Sequence, residues 1–98
     1  MRNIFFHPEA EEEMKASAVF YETKVNGLGD KFLDEIEHAL EKISVSPEVW
    51  PIYFENIRHF LLRRFPFAML YEIIGDSIYV ISVMHLKRKP FYWKVRLN

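Results

Sequence analysis

Cysteine is absent from the 98-residue chain, which excludes disulfide staples and thiolate metal sites and leaves the core to hold the fold by itself. Glycine is scarce: three residues, Gly27, Gly29 and Gly75, supply no glycine-rich phosphate loop. Long apolar runs are missing too. The longest, Phe67 to Tyr71, has five residues, against the roughly 20 that span a bilayer, so no membrane partner is expected. The four histidines show no close ligand spacing and no Ser-His-Asp grouping occurs, so neither a metal nor another cofactor is expected. The start, Met1 to Pro8, runs straight into acidic residues without an apolar stretch of signal-peptide length, and the expectation is a cytoplasmic protein. What is present is a core: half of the residues are hydrophobic and 16% are aromatic, enough for a single domain over residues 1–98 but not for two.

The net charge of −1 conceals an asymmetry. Residues 1–49 hold eleven Asp/Glu against five Lys/Arg, a net −6, whereas residues 50–98 hold eight Lys/Arg against three acids, a net +5. The basic residues fall into two clusters, Arg58/Arg63/Arg64 and Lys87-Arg88-Lys89 followed by Lys94 and Arg96. An acidic element and a cationic surface can pair with each other across the fold or leave the cations free for a polyanion.

Residues 3–6 are β-prone, and His7-Pro8 ends that strand and opens a helix. Glu9, Glu11, Glu12 and Glu13 crowd its first turns, facing the positive end of the helix dipole. Ala10, Met14, Ala18, Tyr21 and Val25 form one helical stripe, broken by Asn26-Gly27-Leu28-Gly29. Asp30 is the expected cap of a second helix with the stripe Phe32, Ile36, Ala39/Leu40 and Ile43, closed by Pro47 and Pro51. Strands are expected over 57–64, 67–74 and 77–85, with a Gly75-Asp76 turn that favours type II′. On the first of these, Arg58, Phe60, Leu62 and Arg64 would share a face; the last, apolar on both faces, would be central. Pro90 ends the sheet, and Trp93 is expected to clasp the tail onto the core. The order β-α-α-β-β-β gives an α+β domain with a helical hairpin packed on one face of a mostly antiparallel twisted sheet.

Six segments in that order resemble the RelE/ParE toxins of type II toxin–antitoxin systems, also called plasmid-stabilisation proteins. They run from Phe6-His7-Pro8-Glu9-Ala10 through Tyr21-Glu22, Gly27-Leu28-Gly29-Asp30-Lys31-Phe32, Pro47-Glu48-Val49-Trp50-Pro51 and Leu62-Arg63-Arg64-Phe65-Pro66 to His85-Leu86-Lys87-Arg88-Lys89-Pro90. The resemblance implies a growth-arresting toxin held by a cognate antitoxin whose acidic segment wraps it, as a homodimer or a toxin–antitoxin hetero-oligomer. It implies one of two targets. RelE-like members cut messenger RNA in the ribosome without a metal; ParE-like members block DNA gyrase and are not nucleases.

Cleavage by a ribose 2′-hydroxyl needs a base, an acid and cations on the phosphate. The resemblance places those roles on His85, Arg88 and Tyr92 as the catalytic set, with Arg58, Arg63, Arg64, Lys87 and Lys89 as substrate contacts. His85 alone among these has an ordinary pKa near neutrality, Arg88 has a bidentate fork for phosphate, and Tyr92 can stack on a base. RelE-like enzymes place the arginine six residues before the tyrosine; here that position is Leu86, and residues 52–57 lack their lysines. Ribosome-dependent mRNA cleavage is the first expectation, and gyrase inhibition the alternative.

Overall fold

The computed structural model describes residues 2–97. The first strand, β1 (Asn3–Phe6), leads directly into α1 (Pro8–Lys24). His7 caps that helix: its ring Nδ1 accepts the Glu9 N–H at 3.1 Å, and Pro8 occupies a first-turn position where a missing N–H costs nothing. Leu28–Val45 form α2. Its N-cap is Gly27 at φ +84°, not Asp30, which lies within the first turn. The capping carboxylate comes instead from the end of α1: Glu22 accepts the N–H groups of Gly27 at 2.8 Å and Gly29 at 3.0 Å. Gly29 is required to be glycine for a steric reason, because a Cβ there would stand 2.5 Å from the Ala18 carbonyl oxygen. The two helices touch at backbone distance.

Four more strands follow: β2 (Ile52–Phe54), β3 (Ile57–Leu61), β4 (Phe67–Ile74) and β5 (Ser77–His85). The sheet order is β1-β5-β4-β3-β2, with β1 parallel to β5 and every other pair antiparallel. The sequence reading lacked β2, a three-residue edge strand joined to β3 through Glu55 at φ +50°. It also ran β3 three residues too far, since the strand stops at Leu61 and Arg63 and Arg64 sit in the turn beyond it. Gly75 (φ +58°) and Asp76 link Ile74 to its partner Ser77; with Gly75 alone at positive φ, a type I′ turn is excluded.

Helices cover one face of the sheet. Phe32, Ile36, Ile43, Phe67, Met69, Tyr71, Val80 and Val83 are buried there, with Phe32, Phe65 and Phe67 packed edge to face at 5.0–5.1 Å. On the other face Ile57, Ala68, Leu70, Ile81 and Met84 lie under Trp93, the fully buried second residue of a short 3₁₀ helix (Tyr92–Arg96). Trp93 is therefore the clasp that the sequence suggested. Among the described residues no helix is long and apolar enough to cross a membrane.

Candidate functional site

β1 pairs with β5 only as far as Val80, whose carbonyl accepts the His7 N–H at 2.8 Å. Beyond that point the edge of β5 would present bare backbone groups, which cost free energy when buried unpaired. Two side chains replace the missing strand. Glu13, from α1, accepts the Val83 N–H at 3.0 Å, and Arg96, from the 3₁₀ helix, donates to the Ile81 carbonyl at 3.0 Å. The two also form a bidentate pair through hydrogen bonds of 2.9 Å. Here the acidic half of the sequence meets the basic half.

The Tyr92 hydroxyl donates to Glu13 Oε2 at 2.5 Å and lies 2.8 Å from Ser82 Oγ, itself 3.1 Å from Glu13 Oε1. Three contacts share two hydroxyl protons, and the carboxylate holds that of the phenol. Burial would raise the Glu13 pKa, but hydrogen bonds from Arg96, Tyr92 and Val83 and the Arg96 charge outweigh it and bring it below the usual value. The Tyr92 phenol is pushed up to about 12, by burial first and then by its bond to Glu13. It is a fixed donor at neutral pH.

Arg88 rests on the outward side of that knot. Its guanidinium carbon is 3.8 Å from the centre of the Tyr92 ring, a cation–π contact, and among the described residues no carboxylate lies within salt-bridge distance of it. Arg88, His85, Val83 and Phe67 line a groove of about 390 Å³ together with Glu13, Ser17 and Phe20 of α1. The His85 ring packs edge-on to Phe67 at 5.0 Å, and its Nδ1 accepts the Lys87 N–H at 3.0 Å. A neutral His85 therefore carries its proton on Nε2, where it can donate but cannot accept.

The other sequence-predicted residues divide. Phe67 pairs with His85, and the Leu86 N–H bonds the Pro66 carbonyl at 2.9 Å, which brings the Arg63-Arg64 turn to the same end of the sheet as Lys87, Arg88 and Lys89. All five cations are exposed. Glu35 of α2 shapes the turn by accepting the N–H groups of Arg63 and, at 3.1 Å, Arg64, so both guanidinium groups stay outside that bond. Arg58 does not join them. Its guanidinium donates to the carbonyls of Glu48 at 3.0 Å and Trp50 at 2.7 Å, holding the loop before β2, while Tyr71 bonds the Pro47 carbonyl at 2.7 Å. Those carbonyls have no strand partner, and the side chain expected on a substrate satisfies them instead.

Sequence reasoning missed Glu13, Ser82, Glu35 and Arg96. For Glu13 a signal existed: it stands three residues after buried Ala10 and eight before Tyr21, on the flank of the apolar stripe. On the opposite sheet face His59 and Tyr53 also pack ring to ring at 5.0 Å, and burial lowers the His59 pKa. Among the described residues no group of three or more His, Asp or Glu side chains is placed to hold a metal ion.

The fold is similar to that of a toxin–antitoxin structure described as the chromosomal ParDE system from P. aeruginosa, with a TM-score of 0.65 at 17% identity over 89% of this chain and 98% of that one. It is also similar to the isolated E. coli RelE toxin, with a TM-score of 0.66 at 18% identity over 97% and 95% of the two chains. No curated protein matches the chain. A family model described as the ParE toxin of type II toxin–antitoxin systems, parDE, matches residues 4–90, nearly the whole of the sheet and both helices. The chain belongs to this ParE toxin family, a toxin component whose membership implies a cognate antitoxin.

Proposed function

We propose that the toxin arrests growth by binding DNA gyrase through its cationic end, without cutting nucleic acid. The observation that carries this reading is the commitment of the Tyr92 phenol to Glu13. With that proton held in a part-buried bond and the Glu13 carboxylate itself engaged by Arg96 and the Val83 N–H, the groove leaves Arg88 and one imidazole free for a substrate but no acid–base pair. Exposed Arg63, Arg64, Lys87, Arg88 and Lys89 at one end of the sheet suit a docking surface that steers toward an acidic protein or a protein–DNA complex. Membership of the ParE family supports the same choice.

The test is a supercoiling assay with purified gyrase and toxin. Inhibition by the wild type, weakened by Arg88→Ala in a folded protein, is expected; undiminished supercoiling at saturating toxin overturns the reading. Ribosome-dependent mRNA cleavage is the second reading, favoured by the position of His85 and Arg88 in one groove with Nε2–H as an acid. It predicts discrete cuts in a translated reporter message, mapped by primer extension, that vanish with Arg88→Ala. The cytoplasm, where either target lies, is the expected compartment.

A further inference from the structure

We infer that Glu13 is a positioning residue: it sets the place of Arg88 at a distance, through the ring of Tyr92. The inference deepens the proposed function and rests on it for the role of Arg88. Three links carry it. The exposed Arg88 side chain has one ordered partner among the described residues, the Tyr92 ring at 3.8 Å. That ring is held by its hydroxyl, bonded at 2.5 Å to a carboxylate that is only 14% exposed. The carboxylate is in turn fixed by the Arg96 fork and by the backbone of β5.

A tyrosine fixed at both its backbone and its hydroxyl has one ring orientation, so the platform beneath Arg88 is fixed as well. A guanidinium held in place loses less conformational freedom on binding than a free one. Of the four glutamates near the start of α1, Glu13 is the one whose carboxylate reaches this knot through hydrogen bonds.

Two substitutions in the full chain test the relay, read by NMR and by gyrase inhibition. Tyr92→Phe keeps the ring and removes only the tether, leaving Glu13 paired with Arg96. Glu13→Gln removes the charge but unbalances Arg96, so Tyr92→Phe serves where that variant does not fold. The Arg88 guanidinium sits over the Tyr92 ring, so its side-chain protons are expected to resonate upfield in the wild type. In Tyr92→Phe, with the amide spectrum otherwise native, they are expected to move toward unstructured values, and inhibition is expected to fall about tenfold. Arg88→Ala added to Tyr92→Phe should then cost clearly less than Arg88→Ala alone, because both changes remove one ordered contact. If the Arg88 resonances stay upfield in folded Tyr92→Phe, the relay does not exist, whether inhibition persists or is lost. If wild-type toxin leaves gyrase unaffected, the proposed function fails while the NMR comparison still decides the relay.

Discussion

Glu13 and Arg96 are separated by 83 positions in the chain, yet they form a bidentate ion pair that also completes the hydrogen bonding of the β5 edge. Arg96 is 6% exposed and Glu13 14%. Removing Arg96 leaves the Glu13 carboxylate without its counterion, and removing Glu13 leaves Arg96 with only the exposed Glu9 carboxylate at 3.8 Å; loss of a partner from such a pair costs about 3–5 kcal/mol. Arg96→Ala and Glu13→Ala should each lose stability of that order in urea titration. The double variant should lose less than the sum of the two.

The same pair makes folding acid-sensitive. Glu13 has a folded pKa below its ordinary value of 4.5, so its contribution is fully present above that value and disappears as pH falls through the lower folded one. Wild-type stability measured by denaturant titration should therefore decline below pH about 4.5. Glu13→Gln should be less stable at neutral pH and show a shallower decline. At the alkaline end, Tyr71 and Tyr92, both pushed up to about 12, bind their protons more tightly when folded, so stability should fall between pH about 10 and 12.

Gly27 and Gly29 should fail for different reasons. Gly27→Ala meets no neighbouring atom but must hold φ +84°, at a cost of about 1–2 kcal/mol. Asparagine, which tolerates that conformation, should recover part of the loss. Gly29→Ala places a methyl 2.5 Å from the Ala18 carbonyl oxygen and forces α1 and α2 apart, costing about 1–3 kcal/mol despite the better helix propensity of alanine. Asparagine should be worse there. Thermal melts of the four variants separate the two cases.

The arginines of the second half should also separate. Arg58→Ala leaves the Glu48 and Trp50 carbonyls without their donor and should destabilise by about 1–3 kcal/mol. Arg63→Ala and Arg64→Ala keep the backbone N–H groups that Glu35 binds, so their melts should stay within about 0.5 kcal/mol of the wild type. Their effect should appear in gyrase inhibition instead.

Local signals in the sequence carried much of this fold. Helical periodicity located α1 and α2, and the bounds of β4 and β5 follow from β-branched and aromatic runs around Gly75-Asp76. β2 was illegible because three residues between Pro51 and a non-glycine αL residue, Glu55, carry no alternation to detect. Asp30 is the sound local choice of cap, but the helix already starts at Leu28 because Glu22, seven residues before Gly29, reaches the amides of Gly27 and Gly29 once the helices fold back. The cationic end was visible as charge clusters. The knot behind it was not, since which of four neighbouring glutamates turns inward depends on a residue near the other end of the chain.

β1 is made first and pairs with β5, more than 70 positions downstream. On the ribosome, at about 5–20 residues per second, the first strand waits on the order of several seconds for its neighbour. Through that interval Glu13 has neither Val83 nor Arg96, and Arg88 and the ring beneath it have still to be made. The proposed docking surface is thus a late product of synthesis: a nascent chain interrupted before Tyr92 emerges has most of its helices and strands but not the arrangement around Arg88.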